Sequence, residues 1–183
     1  MTASWSSASH SLLPSRAKDH SDRGLTRISQ NLESEKTTIQ KMDGKDLEEA
    51  LSIERFDSLA PWSRDMFVDE MRNPLAYCFV MRGESGGTPS VIGFICFRNI
   101  GEESELLKIS VHPDYRQLGL GKKMMKFYID FSRERGISTF YLEVHSSNHP
   151  AIHLYQLFSY RSSGMRKKFY HGKWDALLMT KKA

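Results

Sequence analysis

Arg116, Gly119 and Gly121 fall in the stretch Val111-His112-Pro113-Asp114-Tyr115-Arg116-Gln117-Leu118-Gly119-Leu120-Gly121-Lys122. Here an apolar, β-branched run ends and a long amphipathic run begins, so a strand, a loop and a helix start are predicted. Glycine lets the chain turn tightly and lets a ligand approach the main chain. The first amides of a helix have no internal acceptor, and the helix dipole is positive there. Such a turn suits a phosphate-sized anion. Arg116, Lys122 and Lys123 add positive charge around it. A Walker loop would need glycine where Arg116 stands and Ser or Thr where Lys123 stands. A dinucleotide fingerprint would need a third glycine where Met124 stands. What remains is Arg116-x-x-Gly119-x-Gly121.

A second stretch, Tyr141-Leu142-Glu143-Val144-His145-Ser146-Ser147-Asn148-His149-Pro150-Ala151-Ile152-His153-Leu154-Tyr155, holds groups able to move protons. By residue type alone, Glu143 is a base or half of an exposed ion pair. Asn148 caps the following helix or touches a ligand. Tyr155 is a core aromatic, a hydroxyl donor, or both. His145, His149 and His153 recur every four residues, but Pro150 interrupts the series and His145 falls at a strand end. No metal is expected. His145 and His112 stand as rival bases, because histidine is the commonest such group.

Together the two stretches resemble the GNAT superfamily of acetyl-CoA-dependent N-acetyltransferases. The Leu-Glu-Val-x-x-x-Asn-x-x-Ala-x-x-Leu-Tyr block at 142–155 is similar to its ribosomal-protein-alanine N-acetyltransferase branch. The resemblance spans Ile53–Met179 and takes in Pro61-Trp62-Ser63, Ile109–Tyr115, Phe169-Tyr170 and Asp175–Met179. Two departures stand out. Ser159-Tyr160 replaces the usual Gly-Phe, so the turn is built differently or its backbone does not need positive φ. His145 stands where relatives often carry arginine, which bears on substrate preference.

The resemblance implies acetyl transfer from acetyl-CoA to a protein's N-terminal α-amine, that of alanine on a small-subunit ribosomal protein. Such an amine has a pKa near ~7.7–8.0, so a weak base suffices to expose its lone pair, directly or through water. Glu143 matches the family's base and Tyr155 its proton donor to the leaving thiolate. Arg116, Gln117, Leu118, Gly119, Leu120, Gly121 and Lys122 match the pyrophosphate loop. Asn148 matches a cofactor contact. Ile109, Ser110 and Val111 would offer main-chain groups to the pantetheine arm, which docks like an added strand. The acceptor peptide is expected to be basic after its first residue, attracted by Glu102, Glu103 and Glu105 or by Glu48, Glu49 and Glu54. The alternatives are a GNAT enzyme for small amines and a non-catalytic acyl-CoA-binding module.

The elements that must hold these residues follow from periodicity. Thr37–Met42 alternates like a strand, Asp43-Gly44 turns, and Asp46 is expected to cap a helix through Glu54. Ser63 starts a second helix that ends at Asn73-Pro74. Ala76–Met81, Val91–Ile100 and Glu105–Val111 read as a meander, with a hairpin loop at Gly83–Gly87. In Gly119–Arg135, Leu120, Met124, Phe127, Tyr128 and Phe131 share one helical face, and Gly136 stops the helix. Thr139–Val144 is a strand and His149–Leu157 a helix. Phe169-Tyr170 and Ala176–Met179 close a hairpin around Gly172. The expected fold is α/β, the GNAT acetyltransferase fold: a mixed central sheet flanked by about four helices.

The chain has 183 residues, 39% of them hydrophobic, enough for one packed domain and too many for wholesale disorder. Residues 1–35 carry nine serines and no hydrophobic period, and are expected to be a flexible tail before a domain at 36–183. No run reaches the ~18 apolar residues of a membrane span. Two cysteines cannot build a disulfide scaffold or a four-cysteine zinc site, so a reducing, cytoplasmic compartment is expected. The net charge is +4, with Lys and Arg gathered beyond Arg161. Those bases carry no recognised docking motif, and direct nucleic-acid binding is not expected.

Overall fold

The computed structural model of the chain describes residues 37–56, 60–85 and 88–183. The expected tail at 1–35 and the tip of the first hairpin at 86–87 lie outside the described residues. In chain order come β1 (Thr38–Lys41), a 3-10 turn (Gly44–Asp46), α1 (Leu47–Glu54), α2 (Arg64–Arg72), β2 (Ala76–Ser85), β3 (Thr88–Ile100) and β4 (Glu103–Val111). A second 3-10 turn (Pro113–Tyr115) leads into α3 (Leu120–Arg133), β5 (Thr139–His145), α4 (His149–Leu157), β6 (Arg161–Tyr170) and β7 (Trp174–Lys182). The order and kind of element are those that periodicity predicts.

Three local expectations are corrected. The side-chain cap belongs to the 3-10 turn ahead of α1: the Asp43 carboxylate accepts from the Lys45 amide while Asp46 answers the Asp43 amide, a capping box. Asp46 is fully buried and pairs with Arg82 instead of capping α1. The hairpin loop is shorter than its glycines suggest, because Gly83 and Glu84 belong to β2 and pair with Ser90 and Pro89. Ser159 has φ 66°, so the backbone does keep the left-handed conformation that favours glycine.

Among the described residues, all seven strands form one sheet in the order β1-β2-β3-β4-β5-β7-β6. Every neighbouring pair is antiparallel except β4 and β5. That parallel pair needs a crossover, and α3 supplies it. On one face, α3 and α4 cover a core that includes Ile95, Phe97, Leu106, Met124, Tyr128, Phe140, Leu142 and Val144. On the other, α1 and α2 cover Cys78, Val80, Phe94 and Cys96 with Ala50, Ile53 and Phe67. Each large side chain fully withdrawn from water contributes about 1.5–3 kcal/mol, so both faces stabilise the sheet. The period of two along β5 then decides the site. Phe140, Leu142 and Val144 point into the first core, which turns Tyr141, Glu143 and His145 to the opposite face.

Candidate active site

The ladder between β4 and β5 runs from Glu103↔Thr139 to Leu106↔Leu142 and stops there. Both strands continue, β4 to Val111 against β3 and β5 to His145 against β7. Past Leu106 and Leu142 the two parallel strands therefore stand apart, and the β4 edge that carries Ile109, Ser110 and Val111 faces the opening. A segment with peptide-like amides and carbonyls can dock on such an edge.

The loop beyond β4 is tied back to the same end of the sheet. The Arg116 guanidinium donates through Nε to the Val111 carbonyl at 3.0 Å. Gln117 and Gly119 both have positive φ, 63° and 80°, which folds the loop tightly ahead of α3. Gly119 is the N-cap of α3 and brings no side chain to block its first turn. The amides of Leu120, Gly121 and Lys122 thus stand at an open helix N-terminus. A side chain at Gly121 would meet Leu154 Cδ2 at 3.3 Å, so this glycine serves the close approach of α3 and α4. Of the cations expected here, Lys123 donates to the Thr37 carbonyl and hydroxyl at 2.9 and 2.6 Å, which anchors β1. Lys122 is exposed.

Glu143 lies half-buried on β5, and its Oε1 accepts from Arg166 Nη1 of β6 at 2.6 Å. Arg166 in turn lies over the Phe169 ring at 4.2 Å. Tyr170, at the end of β6, is the next neighbour. Burial and then the Glu143 carboxylate push its hydroxyl above the usual tyrosine range. Tyr155 is buried on α4, and burial, then Tyr170 and Tyr128, push its hydroxyl well up. Tyr155, Tyr170 and Glu143 are therefore electrostatic neighbours, although they come from α4, β6 and β5. A hydroxyl raised in this way keeps its proton through the neutral range.

The end of α4 fixes Tyr155. Tyr160 donates its amide to the Tyr155 carbonyl at 3.1 Å, and Ser159 donates to Gln156 at 3.0 Å. With Ser159 left-handed this is a Schellman cap, and the apolar contact that accompanies one is the Tyr155–Tyr160 pair, with ring centroids 6.0 Å apart. At the other end of α4, the Asn148 side chain accepts from the Ala151 amide at 3.2 Å, so Asn148 is a helix cap.

The histidines separate. His145 is buried against the Tyr170 and Trp174 rings, at 5.3 and 5.9 Å. Its Nδ1 accepts from the Ser147 amide at 3.1 Å and lies 2.8 Å from that serine's hydroxyl. Its Nε2 is buried and meets no partner among the described residues. His149 and His153 are exposed on α4, and His112 caps the second 3-10 turn through Asp114. Among the described residues no cluster of three His, Cys, Asp or Glu side chains is placed to hold a metal ion. Arg166 is the site residue that spacing along the chain does not reveal. It reaches Glu143 because β7 lies between β5 and β6, an order that no local pattern encodes.

Comparison with known proteins decides the family. The Acetyltransferase (GNAT) family profile matches residues 39–160. The chain belongs to the GNAT acetyltransferase family. It is 30% identical over 146 residues to the [ribosomal protein bS18]-alanine N-acetyltransferase of Escherichia coli K12, covering 78% of this chain and 95% of that protein. The crystal structure of the ribosomal-protein-S18-alanine N-acetyltransferase from Escherichia coli superposes with a TM-score of 0.71, over 80% of this chain and 93% of that one. Arabidopsis thaliana NAA60 in complex with acetyl-CoA reaches the same TM-score at 19% identity, over 80% of this chain and 98% of that one, a likeness of fold. The chain is thus an N-acetyltransferase of GNAT type. Its family uses acetyl-CoA, and the parted strands with the open α3 turn fit such a ligand. No helix among the described residues is long and apolar enough to cross a membrane.

Proposed function

We propose that this GNAT enzyme acetylates the N-terminal α-amine of a protein, with an alanine-initiated ribosomal protein as the acceptor suggested by its Escherichia coli relative. The observation that carries the proposal is the parting of β4 and β5 beyond Leu106 and Leu142, beside the open first turn of α3 and with Glu143 at the same strand ends. In this account the diphosphate of acetyl-CoA rests beside Arg116 on the amides from Gln117 to Lys122, and the pantetheine arm runs along Ile109, Ser110 and Val111. Asn148, its carbonyl engaged in capping, keeps its exposed amide group for the same ligand. The catalytic domain is 36–183, with residues 1–35 an appendage.

The chemistry takes two protons from the nitrogen and gives one to the sulfur. The acceptor's ammonium loses a proton to Glu143, directly or through one water, and the neutral nitrogen forms a bond to the acetyl carbon. The carbon–sulfur bond breaks, Tyr155 gives the departing sulfur its proton, and the second proton that the nitrogen sheds as it becomes an amide reprotonates Tyr155. Tyr155 holds that proton through the neutral range and yields it only as negative charge develops on the sulfur. Synthetic peptides with varied first residues, incubated with acetyl-CoA and read by mass, test the proposal. Acetyl on alanine-initiated peptides is expected. Transfer to polyamines or aminoglycosides with none to peptides would overturn it.

A further inference from the structure

The acids that could draw a basic acceptor peptide are engaged or distant. Glu48 pairs with Arg64, Glu49 accepts from the Val91 amide at 2.7 Å, and Glu54 holds Lys108 at 2.6 Å. Glu102 and Glu103 sit beside Ser138 and Tyr141, and Glu103 faces Thr139, four residues back along β5 from Glu143. At ~3.3 Å per residue that is about 13 Å away, at the closed end of the ladder. Glu105 shares the face of Glu143 but lies opposite Arg98, a guanidinium held chiefly by Glu70 and then by Glu105. The β6–β7 wall beside Glu143 is basic. Arg166 touches Glu143, and the exposed Lys167, Lys168 and Lys173 follow toward the hairpin tip. The hairpin's one acid, Asp175, is occupied by the Lys168 amide at 2.8 Å.

We propose that Arg166 is a specificity-determining residue that selects acceptors with Asp or Glu as the second or third residue. The inference rests on the N-terminal α-amine reading above, narrows it, and replaces the basic acceptor expected from the resemblance with an acidic one. With no acceptor present, Arg166 occupies the carboxylate that an incoming ammonium must reach. When the α-amine takes that place, the guanidinium is released and meets the nearest anion, the side chain of the acceptor's second or third residue. Both ion pairs are then satisfied, whereas a basic second residue leaves Arg166 unpaired against a like charge.

Three alanine-initiated peptides, with two Glu, two Gln or two Lys after the first residue, give the test as ratios of kcat/KM. The wild-type enzyme is expected to prefer Glu over Gln about five- to tenfold, as for a partly exposed charged hydrogen bond, and to disfavour Lys. Added salt shrinks the ratio. Arg166→Ala brings the Glu-to-Gln ratio close to one, Arg166→Lys restores part of it, and Arg166→Glu inverts the order of Glu and Lys. Because each ratio is internal to one variant, a general loss of activity does not imitate the effect. Equal use of the three peptides, or preference for Lys, overturns this inference and leaves the α-amine reading intact. No transfer to any peptide removes both. Salt-sensitive binding of a single-stranded RNA oligonucleotide to the hairpin, with no acid preference among peptides, would assign the basic wall to nucleic acid instead.

Discussion

Glu143 and Tyr155 divide the proposed proton traffic, and their surroundings suit them to different parts of it. Glu143 is half open to water and close to the acceptor face, while Tyr155 is buried with its hydroxyl held protonated. Tyr155→Phe should lower kcat by about ten- to a hundredfold with little change in acetyl-CoA affinity, because it removes a proton donor while keeping the ring. Glu143→Gln should cost more at neutral pH and lose part of that deficit as pH rises, since hydroxide and an already neutral amine take over from the base. Turnover and a pH profile of each variant check this pair. Both candidates are named from the sequence because they sit in one local block. Arg166 is not, because its contact depends on strand order. His145 was legible as a departure from relatives, but its burial under Tyr170 and Trp174 was not.

At the scale of elements, two devices hold the site. The first is the Schellman cap of α4, where Ser159 pays the left-handed penalty that glycine would avoid. Ser159→Gly should therefore stabilise the protein by about 1 kcal/mol, raising Tm by roughly 2–4 °C in thermal unfolding without changing turnover much. The second is the buried network on the acceptor face. Glu54 accepts from Lys108 and from the Trp62 amide, and Lys108 also donates to the Ala60 carbonyl at 2.9 Å. Lys108→Met should destabilise by about 3–5 kcal/mol because it strands a buried carboxylate, and adding Glu54→Gln should recover much of the loss. Denaturant titration of the single and double variants decides this. Helical periodicity made α3 plain in the sequence, through its face of Leu120, Met124, Tyr128 and Phe131. β6 was foreshadowed by little more than its last two residues. As an edge strand rich in Lys and Arg, it shows no alternation of buried and exposed positions for a period-two reading to find.

The whole molecule joins these pieces through its first core, where Tyr128, Tyr155 and Tyr160 meet. Burial pushes the Tyr128 hydroxyl up to about 12, after allowance for its bond to Ser104, and raises those of Tyr155 and Tyr160 as well. An unfolded tyrosine releases its proton near ~10. The stability these groups contribute is complete below that pH and is lost as pH climbs above it, because the unfolded chain then binds fewer protons than the native one. Melting temperature should hold steady to about pH 9.5 and fall increasingly steeply above 10, and Tyr160→Phe should make that alkaline fall shallower. A fold expected from alternating periodicities emerged in the expected order. The parting of β4 and β5 did not come from pattern alone, because both strands read as continuous apolar runs whether paired or not.

The central claim is transfer of acetyl to an α-amine, and the most direct measurement is fragmentation mass spectrometry of an alanine-initiated peptide that also carries an internal lysine, after incubation with this enzyme and acetyl-CoA. The account predicts a single acetyl group on the alanine nitrogen, with the lysine untouched. An unmodified peptide, or one acetylated on the lysine alone, would contradict it.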